Sequence, residues 1–273
     1  MFQYITTFNK AFRIAAALLT VIILPSCEKS DDSGPSGFTW RFVPRDCKYL
    51  LVQNCEVDSS AYYSTPEKQR EELLSKGHQL STIKRILQSE RQEVTANHFC
   101  MLLNVTSYTE EMAAKLPERI YAPSLLSEAD EEMEEIMDEE MRHRRVSTKS
   151  GDLPAPQMKY IEYRKEELQS LRILSSAPIF GNGPGNEITD HFEIFGDENN
   201  DFLFNFRKKL LGELERGMSI DEYLSLRPIV SPSLYIHLKS IPEELPMETD
   251  LSVELKLAGG KVLRDTTTVT FTR

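Results

Sequence analysis

The sequence has little of what usually carries catalysis, metal binding or redox chemistry. Among its 273 residues there are four cysteines, one tryptophan and five histidines. No two cysteines have the CxxC spacing and no histidines form HExxH, so the common metal and redox motifs are missing. A GxSxG nucleophile elbow and a glycine-rich phosphate loop are missing as well. We therefore predict no catalytic residue, no metal site and no cofactor, and we favour a non-catalytic protein over an enzyme.

The nearest approach to a metal site is an acidic segment late in the chain. Asp197, Asn199 and Asp201 have the spacing of the first three ligands of an EF-hand loop. The sixth position should be glycine and the twelfth a bidentate glutamate, but these positions hold Phe202 and Lys208. We therefore interpret the segment as an acidic loop rather than as a calcium site.

The N-terminal apolar run is too short to cross a membrane. Ile14 to Leu24 is roughly half of the ~20 apolar residues that a spanning helix needs, and Lys10 and Arg13 precede it. A short apolar run behind positive charges is typical of a signal peptide. We predict that residues 1–26 are such a signal.

The residues that end this segment resemble a lipobox. Leu24, Pro25, Ser26 and Cys27 place a branched aliphatic residue three positions before the cysteine and a small residue directly before it. Pro25 departs from the lipobox pattern at its middle position. The resemblance to bacterial lipoproteins implies that Cys27 becomes the mature N-terminus and carries acyl chains, so that the membrane is its first partner. Each buried methylene of such a chain contributes about 0.8 kcal/mol. The alternative is a secretory signal that is cleaved nearby, with Cys27 incidental.

A charged stretch follows the cysteine directly. It consists of Glu28, Lys29, Ser30, Asp31 and Asp32. It resembles the export signal of Bacteroidetes-type surface lipoproteins, which implies an outer-membrane location with exposure at the cell surface. The alternative is a plain solvated linker. In both cases residues 27–37, which end in glycine and serine, are expected to form a flexible acidic tether.

The charge of the chain is strongly of one sign. The formal net charge is −11, and Lys10 and Arg13 belong to the predicted signal, so the mature chain is more acidic still. Nucleic acids and anionic membrane surfaces are recognised by clustered lysine and arginine. The composition therefore excludes a nucleic-acid partner and favours a glycan, peptide or protein partner.

Three cysteines remain after lipidation. If the apolar residues between Cys47 and Cys55 form a strand, those two cysteines lie about 26 Å apart, beyond disulfide reach. A disulfide of Cys100 with Cys47 or Cys55 is easier and would leave one thiol. The alternative, that all three are small buried apolar residues, is equally open.

Alternating apolar and polar residues predict β-strands over much of the chain. The clearest case is a C-terminal hairpin in which residues 251–257 lead through Gly259-Gly260, a two-residue turn, to residues 262–271. The other predicted strands cover residues 38–42, 48–53, 98–106, 160–163, 168–175, 188–195 and 234–238.

Helices are expected mainly between these strands. Capping residues and apolar periodicity predict helices after Thr65, over residues 80–91, 110–116, 124–145 and 202–216, and after Ser219. The acidic helix over residues 124–145 has two interpretations, a docking surface or cation site, and a helix that packs one apolar face on its own domain. We favour the second.

Residues 160–273 resemble uncharacterised lipoproteins of the same bacterial group, which are thought to be β-sandwiches that end in such a hairpin. The resemblance rests on SLRILSSAPIF and ELKLAGGKVLRDTTTVTFT, and it implies a fold but no activity. We therefore predict an α+β chain in which residues 38–273 form one immunoglobulin-like or transthyretin-like β-sandwich with a helical insertion over about 65–145. Asp265-Thr266-Thr267 resembles the O-glycosylation site of these bacteria, which implies Thr266 as an acceptor.

Taken together, these features predict a non-catalytic binding or interaction module on the cell surface. Two alternatives remain: a structural or adhesin subunit of a surface assembly, and a hydrolase.

Overall fold

The computed structural model describes residues 38–58, 66–75, 82–86, 93–115, 123–147, 157–197, 203–212, 214 and 216–273. The chain divides into two compact units. The larger unit consists of Trp40–Arg142 and Tyr160–Arg273. The side-chain contacts given below all lie within the larger unit.

Strands dominate the described residues, and four α-helices lie between them. The helices are α1 (Glu67–Ser75), α2 (Glu110–Lys115), α3 (Glu131–Ser147) and α4 (Ile220–Ser225). The strands are β1 (Phe38–Pro44), β2 (Tyr49–Asp58), β3 (Thr82–Arg85), β4 (Val94–Thr95), β5 (Phe99–Thr106), β6 (Gln157–Tyr163), β7 (Leu168–Ser175), β8 (Phe192–Asp197), β9 (Met218–Ser219), β10 (Ser233–Leu238), β11 (Met247–Leu257) and β12 (Val262–Thr272).

These strands form three sheets. The large sheet has the order β3-β2-β5-β10-β8-β9, and all of its neighbouring strands are antiparallel. The small sheet has the order β4-β12-β11-β7, in which only the β4–β12 pair is parallel. The two remaining strands, β1 and β6, pair with each other.

The large and small sheets share one apolar core. Successive residues of a strand point to opposite faces, so Leu251, Val253 and Leu255 of β11 are buried while the residues between them are more exposed. These side chains belong to the same buried cluster as Met101 of β5. The ring of Phe271, on β12, meets the ring of Phe99, on β5, edge to face with 4.9 Å between centroids. The fold is thus mostly β with several sheets and a sandwich-like core, as the α+β prediction expects.

The two sheets also meet along one edge. The first half of β2 lies beyond the reach of β3, and its Val52 N–H donates to Asp265 Oδ2 of β12 at 2.7 Å. Asn54 Nδ2 donates to the carbonyl oxygen of Thr268, also at 2.7 Å. Side chains of one sheet therefore form hydrogen bonds with backbone groups of the other. These contacts cover the first half of the β2 edge, where no further strand pairs with it.

Most of the strand predictions are confirmed. The structure has strands close to the predicted positions near residues 38–42, 48–53, 98–106, 160–163, 168–175 and 234–238. The C-terminal hairpin is present, and Ser219 caps α4 in a capping box with Glu222. The strand predicted at residues 188–195 begins later, at Phe192, because a 3-10 helix occupies Thr189–His191.

Two helix predictions are wrong in the described residues. Part of the segment 80–91 forms β3, since Ile83 pairs with Val57 of β2. In the segment 202–216 the described residues form turns and isolated bridges. There the Asn205 side chain accepts hydrogen bonds from the backbone N–H groups of Arg207 and Lys209, which competes with helical bonding.

The predicted insertion over about 65–145 contains α1, α2 and most of α3, together with β5, the strand predicted at residues 98–106. The prediction of a two-residue hairpin turn is wrong. The hairpin connection spans the four residues between Leu257 and Val262 rather than two. The Leu257 N–H donates to the Lys261 carbonyl at 2.8 Å, and Gly259 and Gly260 adopt φ of 88° and 85°, which glycine tolerates best.

Replacing Asp265 by alanine should destabilise the fold. The change removes the acceptor of the buried Val52 N–H, and an unsatisfied buried donor costs about 1–3 kcal/mol. The matched control is Thr266→Ala, because Thr266 is exposed and its hydroxyl bonds only to the Ser252 hydroxyl among the contacts described. We expect the control to cost less than about 0.5 kcal/mol. Urea unfolding measures both, and equal losses for the two variants would contradict the edge contact.

Candidate functional site

A buried charged junction lies where β6 ends. Arg45 and Arg164 have 0% and 1% of their surface exposed. Glu162 bridges them: its Oε1 accepts from Arg45 Nε at 3.1 Å and its Oε2 from Arg164 Nη2 at 3.4 Å. Arg164 also donates from Nε to the Val105 carbonyl at 2.9 Å. Burial lowers the pKa of Arg164, and the Glu162 carboxylate opposes that shift. The junction ties β6 to β5 of the large sheet.

A buried thiol and carboxylate continue this junction. Cys47 Sγ donates to Glu166 Oε2 at 3.1 Å, and the Cys47 N–H donates to the other oxygen at 3.4 Å. The Lys261 ammonium donates to the Cys47 carbonyl. Burial and then the Glu166 carboxylate raise the pKa of the Cys47 thiol well above its usual range. A thiol that stays protonated is a poor nucleophile. The role we see for Cys47 is structural, since its contacts with Glu166 join the segment before β2 to the segment after β6.

The acidic helix α3 packs one face on its own domain. Met133 and Met137 are buried against Tyr163, Phe204 and Ile229. The polar side chains around this face also form hydrogen bonds with other residues of the same domain. The Tyr163 hydroxyl donates to Glu134 at 2.8 Å, and Trp40 Nε1 donates to Asp138 at 2.8 Å.

The start of α3 carries a lysine bridge. Lys208 Nζ contacts Asp130 Oδ1 at 3.0 Å and Glu132 Oε2 at 2.6 Å. Burial alone would raise the pKa of Asp130, but hydrogen bonds from Lys208 and from the Met133 N–H outweigh it and lower that pKa. Lys208, which stands at the position of the last ligand in an EF-hand loop, thus serves as a counter-charge for these acids.

A second apolar cluster lies on the face of the large sheet that points away from the shared core. It contains two cysteines, Cys55 and Cys100, which are directly opposite each other on β2 and β5. His237 lies beside it, 5.6 Å from the Phe195 ring, and its Nε2 is 3.2 Å from the Asn97 carbonyl. Burial lowers the pKa of His237. The other members are Val57, Leu102, Phe195 and Tyr235.

The loop after β7 holds a partly buried aromatic residue in an unusual backbone conformation. Phe180 and Gly181 have φ of 55° and 72°, and Ile179 and Asn182 exchange backbone hydrogen bonds at 3.1 and 2.9 Å. Positive φ at both central residues is the geometry of a type I′ turn, which a bulky side chain rarely adopts. The Phe180 ring stacks on His191 with 3.8 Å between centroids and 3° between ring planes.

This turn is joined to the loop between β10 and β11. The Gly181 N–H donates to Glu244 Oε1 at 2.8 Å. The second loop carries Ile241, 57% exposed, the most exposed of the large apolar side chains in the described residues. We refer to residues 178–185 and 239–246 as the loop pair. Of its apolar side chains Ile241 is the exposed one, whereas Ile179 and Leu245 are buried and Phe180 packs against the core.

Several predicted site residues lie outside the described residues. The lipobox residues and Cys27, the charged stretch from Glu28 to Asp32 and the tether are among them. The lipidation and export predictions therefore stay predictions. Asn199 and Asp201 of the EF-hand-like segment also lie outside.

Other predicted residues are placed by the structure. Thr266 is exposed on β12, while Asp265 before it is engaged with Val52, and its glycosylation stays a prediction. Cys47, Cys55 and Cys100 are all buried thiols, and only Cys55 and Cys100 share a cluster.

Sequence reasoning missed the buried junction. The sequence pattern does not indicate that Arg45, Arg164 and Glu162 meet in the interior, because charged residues are usually exposed. The available signal was the dense charge in residues 162–167 directly between two predicted strands. Within the described parts of the chain no three His, Cys, Asp or Glu side chains are placed to hold a metal ion. No described helix has the length and apolar character needed to span a membrane.

No protein-family model matches the chain, and neither does any curated protein or any solved structure.

Replacing Glu162 by glutamine should be strongly destabilising. The change leaves the buried guanidinium groups of Arg45 and Arg164 around a neutral amide. Removing the partner of a buried charge costs about 3–5 kcal/mol, and because Glu162 is itself 21% exposed in its side chain we expect the lower end of that range. Chemical denaturation measures the loss in the free energy of unfolding.

The matched control is Glu167→Gln. Glu167 also accepts two hydrogen bonds from one arginine, at 2.6 and 3.0 Å, but that arginine, Arg227, is 53% exposed in its side chain. A surface pair contributes about 0–1 kcal/mol. If the two variants lost the same stability, the junction would not be what holds β6 in place.

Proposed function

We propose that this protein is a lipid-anchored, non-catalytic binding module at the outer membrane, exposed at the cell surface. The observation that carries the proposal is Leu24-Pro25-Ser26-Cys27 behind a short apolar run, with the charged residues 28–32 directly after it. Lipid on Cys27 would hold the chain at the membrane, and several acyl chains on one residue anchor far more firmly than one. We further propose that the folded part is an immunoglobulin-like or transthyretin-like sandwich.

The arrangement of charges supports binding over catalysis. The most deeply buried charged groups, Arg45 and Arg164, bond to the chain itself. Their shared partner Glu162 is likewise used to hold β6. These groups stabilise a scaffold, and exposed loops on a rigid scaffold are where binding residues concentrate.

The loop pair is the surface that we assign to the partner. Phe180 holds a conformation that costs of order 1–3 kcal/mol, and such strain concentrates at functional sites. Ile241 adds an exposed apolar side chain to the same surface. A neutral glycan or a peptide with apolar side chains suits this surface better than a strongly anionic ligand, since the whole chain is acidic.

A structural subunit completed by a neighbour's strand has less support at the β7 edge of the small sheet. That role needs a free strand edge, and much of the outer edge of β7 is occupied. Ile188 N–H donates to the Ile173 carbonyl at 2.8 Å, and Leu168 N–H donates to the Pro228 carbonyl at 2.9 Å.

Labelling with a palmitate analogue tests the anchor. We expect the full chain to incorporate label in bacteria with lipoprotein processing, Cys27→Ala to lose it, and the interior control Cys47→Ser to keep it. Label on Cys27→Ala, or none on the wild type, would overturn the anchor. Replacing Glu28, Asp31 and Asp32 by alanine should keep the label but protect the protein from protease added to intact cells, because the export signal is lost.

Crosslinking in intact cells tests the loop pair. A photo-reactive amino acid at position 241 should give crosslinked partners or glycans at several times the yield of the same residue at position 262. Val262 is the matched control because it is also apolar and 45% exposed but lies at the start of β12. Equal yields at the two positions would remove the loop pair from the proposal.

A further inference from the structure

Cys55 and Cys100 occupy opposing positions on adjacent antiparallel strands. The register of β2 and β5 places the two residues directly opposite each other. Both point to the face of the large sheet that carries the second apolar cluster, and both have 0% of their surface exposed. In the sequence, 44 residues separate them, so only the sheet brings them together.

The ladder of hydrogen bonds gives their backbone separation. The Val105 N–H donates to the Pro232 carbonyl on the β10 side of β5. Backbone N–H and C=O groups of successive residues in a strand point to opposite neighbouring strands. Cys100 lies five positions before Val105, so its backbone groups point to β2. On the other strand, the Asn54 carbonyl accepts from Ile86 on the β3 side, so the backbone of Cys55 points to β5. Two residues that exchange hydrogen bonds in this way have Cα atoms about 5.5 Å apart, within the ~4.4–6.8 Å that a disulfide spans.

The third cysteine is placed differently. Cys47 belongs to the core shared by the two sheets, and its thiol donates to Glu166 at 3.1 Å. Cys55 and Cys100, by contrast, contact each other through their side chains. The geometry therefore selects one pair among the three cysteines that the structure describes.

We infer that Cys55 and Cys100 form an intramolecular disulfide when the chain folds in the presence of a disulfide oxidant, and that Cys47 stays a thiol. One thiolate attacks a sulfur of the oxidant and forms a mixed disulfide, and the first oxidant thiolate leaves. The second protein thiolate attacks the protein sulfur of that mixed disulfide and releases the second oxidant thiolate. The two cysteine protons end on the two released thiols, and two electrons reduce the oxidant.

The disulfide forms while the chain is folding, before the two thiols are buried. The hydrogen bond with Cys55, and then burial, raise the pKa of Cys100 well above its usual range in the folded protein. Burial also keeps a bulky oxidant away from both sulfurs. The thiols react while they are exposed, and the sheet then holds the disulfide.

Refolding of the full chain with oxidised glutathione tests the inference. Denatured, reduced protein is refolded with oxidised and reduced glutathione, denatured again under acid quench, alkylated, reduced, and alkylated with a second reagent of different mass. Trypsin cleaves after Lys48 and so separates Cys47 from Cys55. We expect Cys55 and Cys100 to carry the second reagent and Cys47 the first. The first reagent on both Cys55 and Cys100, or a bridge that includes Cys47, would overturn the inference.

Serine variants provide the controls. Cys47→Ser should keep the bridge, whereas Cys55→Ser should leave Cys100 with the first reagent or with a glutathione adduct. Dithiothreitol should lower the melting temperature of the oxidised wild type by roughly 5–15 °C and leave that of the Cys55→Ser/Cys100→Ser double variant unchanged. An equal shift in the double variant would contradict a bridge between these two residues. The experiment does not depend on the membrane anchor.

Discussion

The structure depends on the burial of two apolar sheet faces against each other. A sheet with one apolar face must cover that face, and here the large and small sheets cover each other. The edge-to-face contact of Phe99 with Phe271 lies between their strands. Once the inner faces are fixed, alternation along each strand fixes the outer ones. That constraint sends Cys55 and Cys100 to one outer face and leaves Thr266 exposed on another.

The charged junction adds specificity to this apolar core. Two guanidinium groups are costly to bury, and the Glu162 carboxylate with nearby carbonyl groups offsets that cost. Because these contacts need defined directions, they fix where β6 ends relative to β5. The acidic helix α3 is attached to the same region through Tyr163, whose hydroxyl donates to Glu134. Its charge thus serves the chain's own packing as well as its solvation.

The proposed function divides between two parts of the chain. The N-terminal residues would supply attachment, while the loop pair would supply contact with a partner. The three cysteines of the described residues are buried, so the fold gives each of them a role different from the one proposed for Cys27. A disulfide between two of them would suit a protein that leaves the cytoplasm.

The sequence by itself determined the strands whose apolar residues alternate, the C-terminal hairpin and the capped helix α4, because these signals are local. It also determined the acidic charge and the lipobox resemblance. Only the tertiary structure decided that part of residues 80–91 is a strand, since pairing with β2 overrides local helical preference. The tertiary structure likewise buried Arg45 and Arg164 around Glu162 and set Cys55 opposite Cys100. Those contacts join residues far apart in the chain, and a local pattern carries no information about which distant residues will meet.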